Sequence, residues 1–111
     1  MKFNYVLAVA ILLAGCDKPA KFDGTSQESL QISSQRVIEQ LSDQKRKMLR
    51  TAVSDTLSYY ETEAIVNKDK NYSSDEMRLR ILDGRTADQV IAESSSYRGK
   101  REKLLIQYQQ K

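Results

Sequence analysis

The feature that most constrains the fold is a long stretch of residues that recur at helical spacing between positions 43 and 66. The stretch follows an i, i+3, i+4 pattern, which places its mostly apolar members on one face of an α-helix. Ser42 directly precedes it and is a suitable N-cap. The pattern predicts a helix over residues 43–66 with one buried stripe. The members of the stripe are Met48, Leu49, Ala52, Val53, Thr56, Leu57, Tyr60, Ala64 and Ile65.

Three further segments open with a capping-box pattern, in which Ser or Thr is followed three residues later by Glu or Gln. These patterns begin at Thr25, Ser73 and Thr86. Gly84 is placed for the left-handed turn that ends a helix, and residues 67–71 are polar and predict a loop. The predicted helices therefore cover residues 26–41, 43–66 and 74–82, with a last helix that begins at residue 86. Leu30, Ser34, Val37, Ile38 and Leu41 form the predicted stripe of the first helix.

The last predicted helix contains residues that weaken a helix. Three serines at 94–96 and Gly99 lie in its middle, and both residue types lower helix propensity, so a continuous helix and one with a kink or break near 95–99 both stay open. A short strand around residues 58–60 stays open as an alternative, although no hairpin turn is available to pair it. The sequence predicts an all-α fold, either a small helical hairpin or a three- to four-helix bundle.

The N-terminus has the features of a secretory signal. Lys2 precedes an apolar run over residues 6–13, which is far shorter than the ~20 residues of a membrane-spanning helix. Residues 13–16 match the bacterial lipobox, in which the Cys thiol receives diacylglycerol and cleavage follows directly before the Cys. An ordinary signal peptide with a chance Cys and a buried N-terminal helix are the alternatives. The lipobox residues are Leu13, Ala14, Gly15 and Cys16.

This pattern divides the chain into a cleaved lipoprotein signal peptide (1–15), a lipidated Cys with a short tether (16–21) and a helical domain (22–111). Cys16 would carry diacylglycerol and an N-acyl chain, and two or more chains hold a protein firmly on a membrane. The expected location is a lipid-anchored position on the cell membrane that faces the periplasm. Asp17, followed by Lys18, favours the inner membrane over the outer membrane.

The residue types that most enzymes use are missing from the mature part. The chain has no His, and its one Cys is Cys16, which leaves no thiol nucleophile, imidazole base or His and Cys metal ligand. Glu61 and Glu63 point to different helix faces, and Asp75 and Glu76 suit helix capping. We therefore expect a protein that is not an enzyme, with no metal, no cofactor beyond its lipid and no small-molecule substrate. A net charge of +3 is too weak to favour nucleic acid.

Two basic groups and several tyrosines are the candidate interaction residues. The denser group could touch anionic headgroups, at ~1 kcal/mol for each cation near the surface, or form the solvated face of the second helix. The tyrosines suit either a binding surface or the half-buried edge of the core. The candidate surface consists of Lys45, Arg46, Lys47, Arg50, Tyr59 and Tyr60, and the second basic group of Arg98, Lys100, Arg101 and Lys103.

Two short segments carry a resemblance to a family of small uncharacterised bacterial lipoproteins. The first is the Phe-Asp-Gly-Thr-Ser opening at 22–26, and the second is the Asp-Gly-Arg-Thr-Ala-Asp-Gln-Val-Ile stretch at 83–91. The resemblance implies the anchored location and the helical fold, and it brings no activity, ligand or catalytic residue. The resulting hypothesis is a non-catalytic interaction protein of the cell envelope, of an immunity, exclusion or accessory type, bound to an envelope protein. The alternative is a structural or membrane-surface protein whose basic helix faces contact anionic lipid.

Overall fold

The computed structural model describes residues 18–110. That part of the chain is all-α, as predicted, and its one β-type contact is an isolated antiparallel bridge between Lys21 and Thr86. The possible strand around residues 58–60 is wrong, because those residues lie inside a helix. The described helices are α1 (Gln27–Glu39), α2 (Asp43–Val66), α3 (Ser74–Leu82), α4 (Ala87–Ser94) and α5 (Tyr97–Gln109).

Most of the predicted helix starts are confirmed by their caps. Ser42 accepts a hydrogen bond from the Lys45 amide, Ser73 from the Glu76 amide and Thr86 from the Gln89 amide. Only the first start is wrong. The N-cap of α1 is Ser26, which accepts from the Ser29 amide.

Thr25 does not cap α1; its hydroxyl and its amide both donate to the Asp23 carboxylate, at 2.6 and 3.0 Å. The helix is also shorter than predicted, ending at Glu39, so Leu41 lies beyond it. The possible break in the last helix falls at Ser95 and Ser96, between α4 and α5. Gly99 lies inside α5.

Helix α2 is the centre of the domain, with α3 on one side and α4 and α5 on another. Helices α2 and α4–α5 run in the same direction, because Lys45 pairs with Asp88 near one end and Thr62 contacts Arg101 near the other. Gly84 has a φ of 76°, and the left-handed turn there lets the chain reverse between α3 and α4. The core consists of Phe22, Leu30, Val37, Leu49, Ala52, Leu82, Ala87 and Val90.

Three members of the predicted apolar stripes are more exposed than expected. Ile38 is 42% exposed, Met48 45% and Ile65 62%. In contrast, the polar residues Ser33 and Thr56 are buried; both hydroxyls donate to a backbone carbonyl of their own helix, which reduces the cost of burial. The stripes of α1 and α2 are therefore wider than the surface that neighbouring helices cover.

The predictions for the signal peptide, the lipobox, Cys16 and Asp17 fall on residues 1–17, which lie outside the described residues. Between Lys18 and Gln110, none of the helices combines the length and the apolar character that a membrane crossing requires.

Candidate functional site

The segment 22–26 and the turn between α3 and α4 form one hydrogen-bonded corner, which we call the signature corner (residues 22–26 and 83–86). The Phe22 amide donates to the Arg85 carbonyl at 2.9 Å, and the Gly84 amide donates to the Phe22 carbonyl at 2.9 Å. The Gly24 amide donates to Asp83 Oδ1 at 2.9 Å. These contacts hold Phe22 in the core with 4% of its surface exposed. The two segments that carry the resemblance therefore pack against each other.

Asp23 and Gly24 shape the first half of the signature corner. The Asp23 carboxylate accepts from the Thr25 hydroxyl and amide, and these bonds lower the pKa of Asp23 below its usual value of 3.8. The backbone of Gly24 lies so close to α3 that a Cβ there would overlap the Leu79 carbonyl oxygen and lie 2.8 Å from Asp83 Cβ. Position 24 thus requires glycine because of a close backbone approach.

The tether residues that the structure describes are bound to the domain. The Ala20 amide donates to Gln40 Oε1 at 2.8 Å, and Gln40 Nε2 donates to the Lys18 carbonyl at 3.3 Å. Gln40 is the C-cap residue of α1, next to the turn that leads into α2. We call this pair of hydrogen bonds the tether clamp. It fixes the path of the chain before Phe22 along the α1–α2 end of the domain.

The four predicted basic residues of α2 divide into two pairs. Lys45 Nζ lies 2.9 Å from Asp88 Oδ1, and Arg46 Nε donates to the Ile38 carbonyl at 3.0 Å. These two side chains join the start of α2 to α4 and to α1. Lys47 and Arg50 are exposed, and no side-chain hydrogen bond or ion pair within residues 18–110 involves either of them. The first pair thus has structural contacts, and the second remains available to a partner.

The predicted Tyr59 and Tyr60 meet Tyr97 of α5, and all three rings are half-buried. Their ring centroids lie 5.1 to 5.6 Å apart, within the range of favourable aromatic pairs. The Tyr60 and Tyr97 hydroxyl oxygens are 3.2 Å apart, and this contact and burial raise the pKa of Tyr60 to about 12. The cluster binds α5 to α2, so changing Tyr59 and Tyr60 also perturbs the fold.

The second basic group likewise fastens α5 to α2. Arg98 Nη2 lies 2.8 Å from Asp55 Oδ2, and Arg101 Nε donates to the Thr62 hydroxyl at 3.2 Å. The Lys100 ammonium lies 5.2 Å from the Tyr97 ring centroid, within the range of a cation–π contact. These contacts indicate a structural role for this group, with Lys103 exposed beside it.

An open groove lies between α1, α2 and α3, which we call the α1–α3 groove. Its volume is about 580 Å³. Val53 and Leu57 of α2 line it as half-buried residues, and Ile38 of α1 lines it while 42% exposed. Exposed Arg50 and Arg78 contribute cationic groups, and Glu61 contributes a carboxylate. Its lining residues are Phe22, Ser34, Ile38, Leu49, Arg50, Val53, Ser54, Leu57, Ser58, Glu61, Ser74, Arg78 and Leu82.

A smaller cleft of about 260 Å³ lies between α2, α3, α4 and α5. Arg80 and Arg85 line it, together with Tyr60, Tyr97 and Glu93. Arg85 Nε is 2.7 Å from Glu93 Oε2, so the more enclosed guanidinium is already paired. Sequence reasoning missed Arg78, Arg80 and Arg85, because single arginines separated along the chain give no recognisable pattern.

The remaining carboxylates have local roles or stand alone. Glu63 Oε2 accepts from the Tyr59 hydroxyl at 2.9 Å, which raises the pKa of Tyr59, and exposed Glu61 lines the α1–α3 groove. Asp75 and Glu76 lie in the first turn of α3. Within residues 18–110, no three or more carboxylate, imidazole or thiol groups converge in an arrangement that could hold a metal ion.

A protein-family profile described as "Family of unknown function (DUF6694)" matches residues 2–99. This match covers both halves of the signature corner and helices α1 to α4, and it ends in the first turn of α5. Neither a curated protein nor a solved structure matches the chain.

Proposed function

We propose that this chain, which belongs to the family of unknown function DUF6694, is a lipid-anchored interaction protein of the bacterial cell envelope. The proposed anchor is the lipid on Cys16, and the proposed location is the periplasmic face of the cell membrane, with the inner membrane favoured. The proposed partner is an envelope protein that inserts an amphipathic helix into the α1–α3 groove. The proposal assigns no reaction to the chain.

The α1–α3 groove is the single observation that carries the proposal. Its residues on α2 extend from Leu49 to Glu61, which corresponds to ~18 Å along the axis at a rise of ~1.5 Å per residue. That length accommodates about three turns of a second helix. Ile38, Val53 and Leu57 offer apolar surface at spacings that suit the apolar face of an amphipathic helix.

Charge indicates what kind of helix fits. Arg50 and Arg78 line the groove and are exposed, whereas Glu61 is the one carboxylate among its lining residues. A partner helix with carboxylates beside its apolar stripe would satisfy both guanidinium groups, and bonds between Arg and carboxylate are directional as well as strong. We therefore expect an acidic amphipathic helix as the occupant.

Site-specific photo-crosslinking tests this proposal. A photoreactive amino acid replaces Leu57 inside the α1–α3 groove, and in a matched protein it replaces Glu102 on the exposed surface of α5. Both proteins are produced with their own N-terminus in native envelopes. We expect one protein to be crosslinked at position 57 and not at position 102, with the crosslinked peptide lying in an acidic amphipathic helix.

Charge reversal provides the control. Arg50→Glu together with Arg78→Glu should strongly reduce the crosslink at position 57, whereas Lys68→Glu together with Lys70→Glu, in the loop after α2, should leave it unchanged. The same products from positions 57 and 102, or only lipid and self-adducts, would contradict the proposal. Tyr59 and Tyr60 are unsuitable for this test, because they also hold α5.

A second candidate function is a passive membrane-surface protein whose basic helix faces lie on anionic lipid. The exposed positions of Lys47 and Arg50 support it. If it is correct, protein without lipid on Cys16 should bind anionic vesicles in a salt-sensitive manner, and the charge reversals Lys47→Glu and Arg50→Glu should abolish that binding. Retained binding in the double variant would count against this candidate.

A further inference from the structure

The tether clamp fixes the start of the described chain to one end of the domain. The Lys18 carbonyl and the Ala20 amide are both hydrogen-bonded to Gln40. Only two residue steps separate Cys16 from Lys18, so the two Cα atoms lie no more than ~7 Å apart even in a fully extended chain. A lipid on Cys16 would therefore enter the bilayer close to the α1–α2 turn.

The elements at this end are firmly connected. The bridge between Lys21 and Thr86 places the start of α4 beside the tether, and the Lys45–Asp88 ion pair joins the start of α4 to the start of α2. Helix α2 then leads away for 24 residues, a length of ~36 Å. The loop after α2, with Lys68 and Lys70, thus lies at the opposite end of the domain.

The charges of the tethered end suit an anionic surface. Lys18, Lys21 and Lys47 are exposed there, and no ion pair among the described residues involves any of them. The acidic residues Asp43 and Asp88 of the same end are each paired, with Arg46 and with Lys45. Glu39, near the end of α1, is exposed close by, and the exposed carboxylates of Asp23 and Asp83 in the adjoining signature corner accept hydrogen bonds from Thr25 and from the Gly24 amide. The charged side chains of this end that have neither an ion pair nor a hydrogen bond among the described residues are therefore mainly lysines.

We propose that the domain stands on the membrane with its α1–α2 end against anionic phospholipid headgroups, which Lys18, Lys21 and Lys47 contact. The inference rests on the lipid anchor of the proposed function and adds an orientation to it. In this orientation α2 points away from the bilayer. The α1–α3 groove then lies along the side of the domain, open to a partner in the periplasm.

Fluorescence quenching in nanodiscs tests the orientation. The native sequence has one Cys, which the lipid occupies, so a single added Cys can be labelled specifically. One label is placed by Ser42→Cys at the tethered end and another by Asn71→Cys at the opposite end. The lipidated protein is reconstituted into equal parts of phosphatidylglycerol and phosphatidylcholine with a headgroup quencher. We expect several-fold stronger quenching at position 42 than at position 71.

The charge dependence is tested in the same system. Replacing Lys18, Lys21 and Lys47 by Gln should remove most of the difference between the two labels, and so should pure phosphatidylcholine without substitutions. Matched replacement of Lys68, Lys70 and Lys103 by Gln should preserve the difference. Gln40→Ala, which opens the tether clamp, should also reduce it.

Mass spectrometry of the purified chain distinguishes a failure of the proposed lipid anchor from a failure of the proposed orientation. If Cys16 carries no lipid, the proposed anchor fails and the orientation fails with it. If Cys16 is lipidated but both labels are quenched equally, the orientation is overturned. If the tethered-end Gln variant still shows the full difference, the contacts of Lys18, Lys21 and Lys47 with the headgroups are overturned.

Discussion

The substitution Gly24→Ala should open the signature corner and destabilise the whole domain. The new Cβ would overlap the Leu79 carbonyl oxygen and lie 2.8 Å from Asp83 Cβ. The Leu79 oxygen belongs to the backbone of α3 and already accepts from the Asp83 amide, so no rotamer change can relieve the overlap. The segment 22–26 must move away from α3 instead.

The magnitude follows from what that movement removes. Three hydrogen bonds of 2.9 Å join the two halves of the corner, and each contributes about 1 kcal/mol net. Phe22, which is buried, would also lose part of its packing. Overpacking strain of this kind typically costs 1–3 kcal/mol, and we expect a total loss of about 2–4 kcal/mol. In a domain of this size, that corresponds to a fall in melting temperature of roughly 10–25 °C.

Urea unfolding followed by circular dichroism at the helical minimum measures the loss. Gly99→Ala is the matched control, because it is the same chemical change inside α5 with nothing within 4 Å of the new Cβ. It should stabilise the protein by about 0.5–1 kcal/mol through its effect on helix propensity. Equal unfolding midpoints for Gly24→Ala and the wild type would refute the close approach at residue 24.

Three further predictions concern single side chains. Thr86→Ala removes the capping box of α4 and should lower the free energy of unfolding by about 1 kcal/mol. Ser96→Ala, at a helix start without a side-chain cap bond, should change the free energy of unfolding by only a few tenths of a kcal/mol. The pKa of Tyr60 is raised to about 12, so between its ordinary pKa of 10.0 and pH 12 the native state keeps a proton that the unfolded chain releases. The free energy of unfolding should be independent of Tyr60 below pH 10 and should fall as the pH rises towards 12. Thermal unfolding at each pH should show a shallower fall for Tyr60→Phe. Cys16→Ser should abolish incorporation of radiolabelled palmitate; palmitate that is still incorporated into this variant would refute a lipid anchor on Cys16.

The helices with strong local signals were predicted well from the sequence. Helix α2 has the predicted bounds of 43–66, because a sustained stripe and a serine cap are both local properties. The left-handed Gly84 and the possible break near Ser95 and Ser96 were found for the same reason. The error at Thr25 arose from adjacent hydroxyl groups. Both Thr25 and Ser26 carry a hydroxyl that can cap a helix. The Thr25 hydroxyl is hydrogen-bonded to the Asp23 carboxylate, which is a contact that the capping pattern does not describe.

The candidate surfaces were harder to predict, because contacts between distant residues decide them. Lys45 was grouped with Lys47 on the basis of their proximity in the chain, yet Lys45 pairs with Asp88 at a separation of 43 residues. The sequence leaves Tyr59 and Tyr60 suited either to a binding surface or to the half-buried edge of the core, and their contacts with Tyr97, the first residue of α5, favour the second. The α1–α3 groove depends on the relative positions of three helices, which the apolar stripes alone do not determine.

The signature corner links a sequence pattern to the fold of the domain. Segments 22–26 and 83–91 are far apart in the chain, and both lie within the match to the family of unknown function. In the fold, residues 22–26 contact the turn at the start of the second segment through backbone groups, and the tether clamp lies next to them. In this chain the two segments therefore fix the tether to the helical domain, largely through amides and carbonyls that are hydrogen-bonded to each other. A partner should bind elsewhere, on a surface such as the α1–α3 groove, where the side chains of Arg50 and Arg78 are exposed.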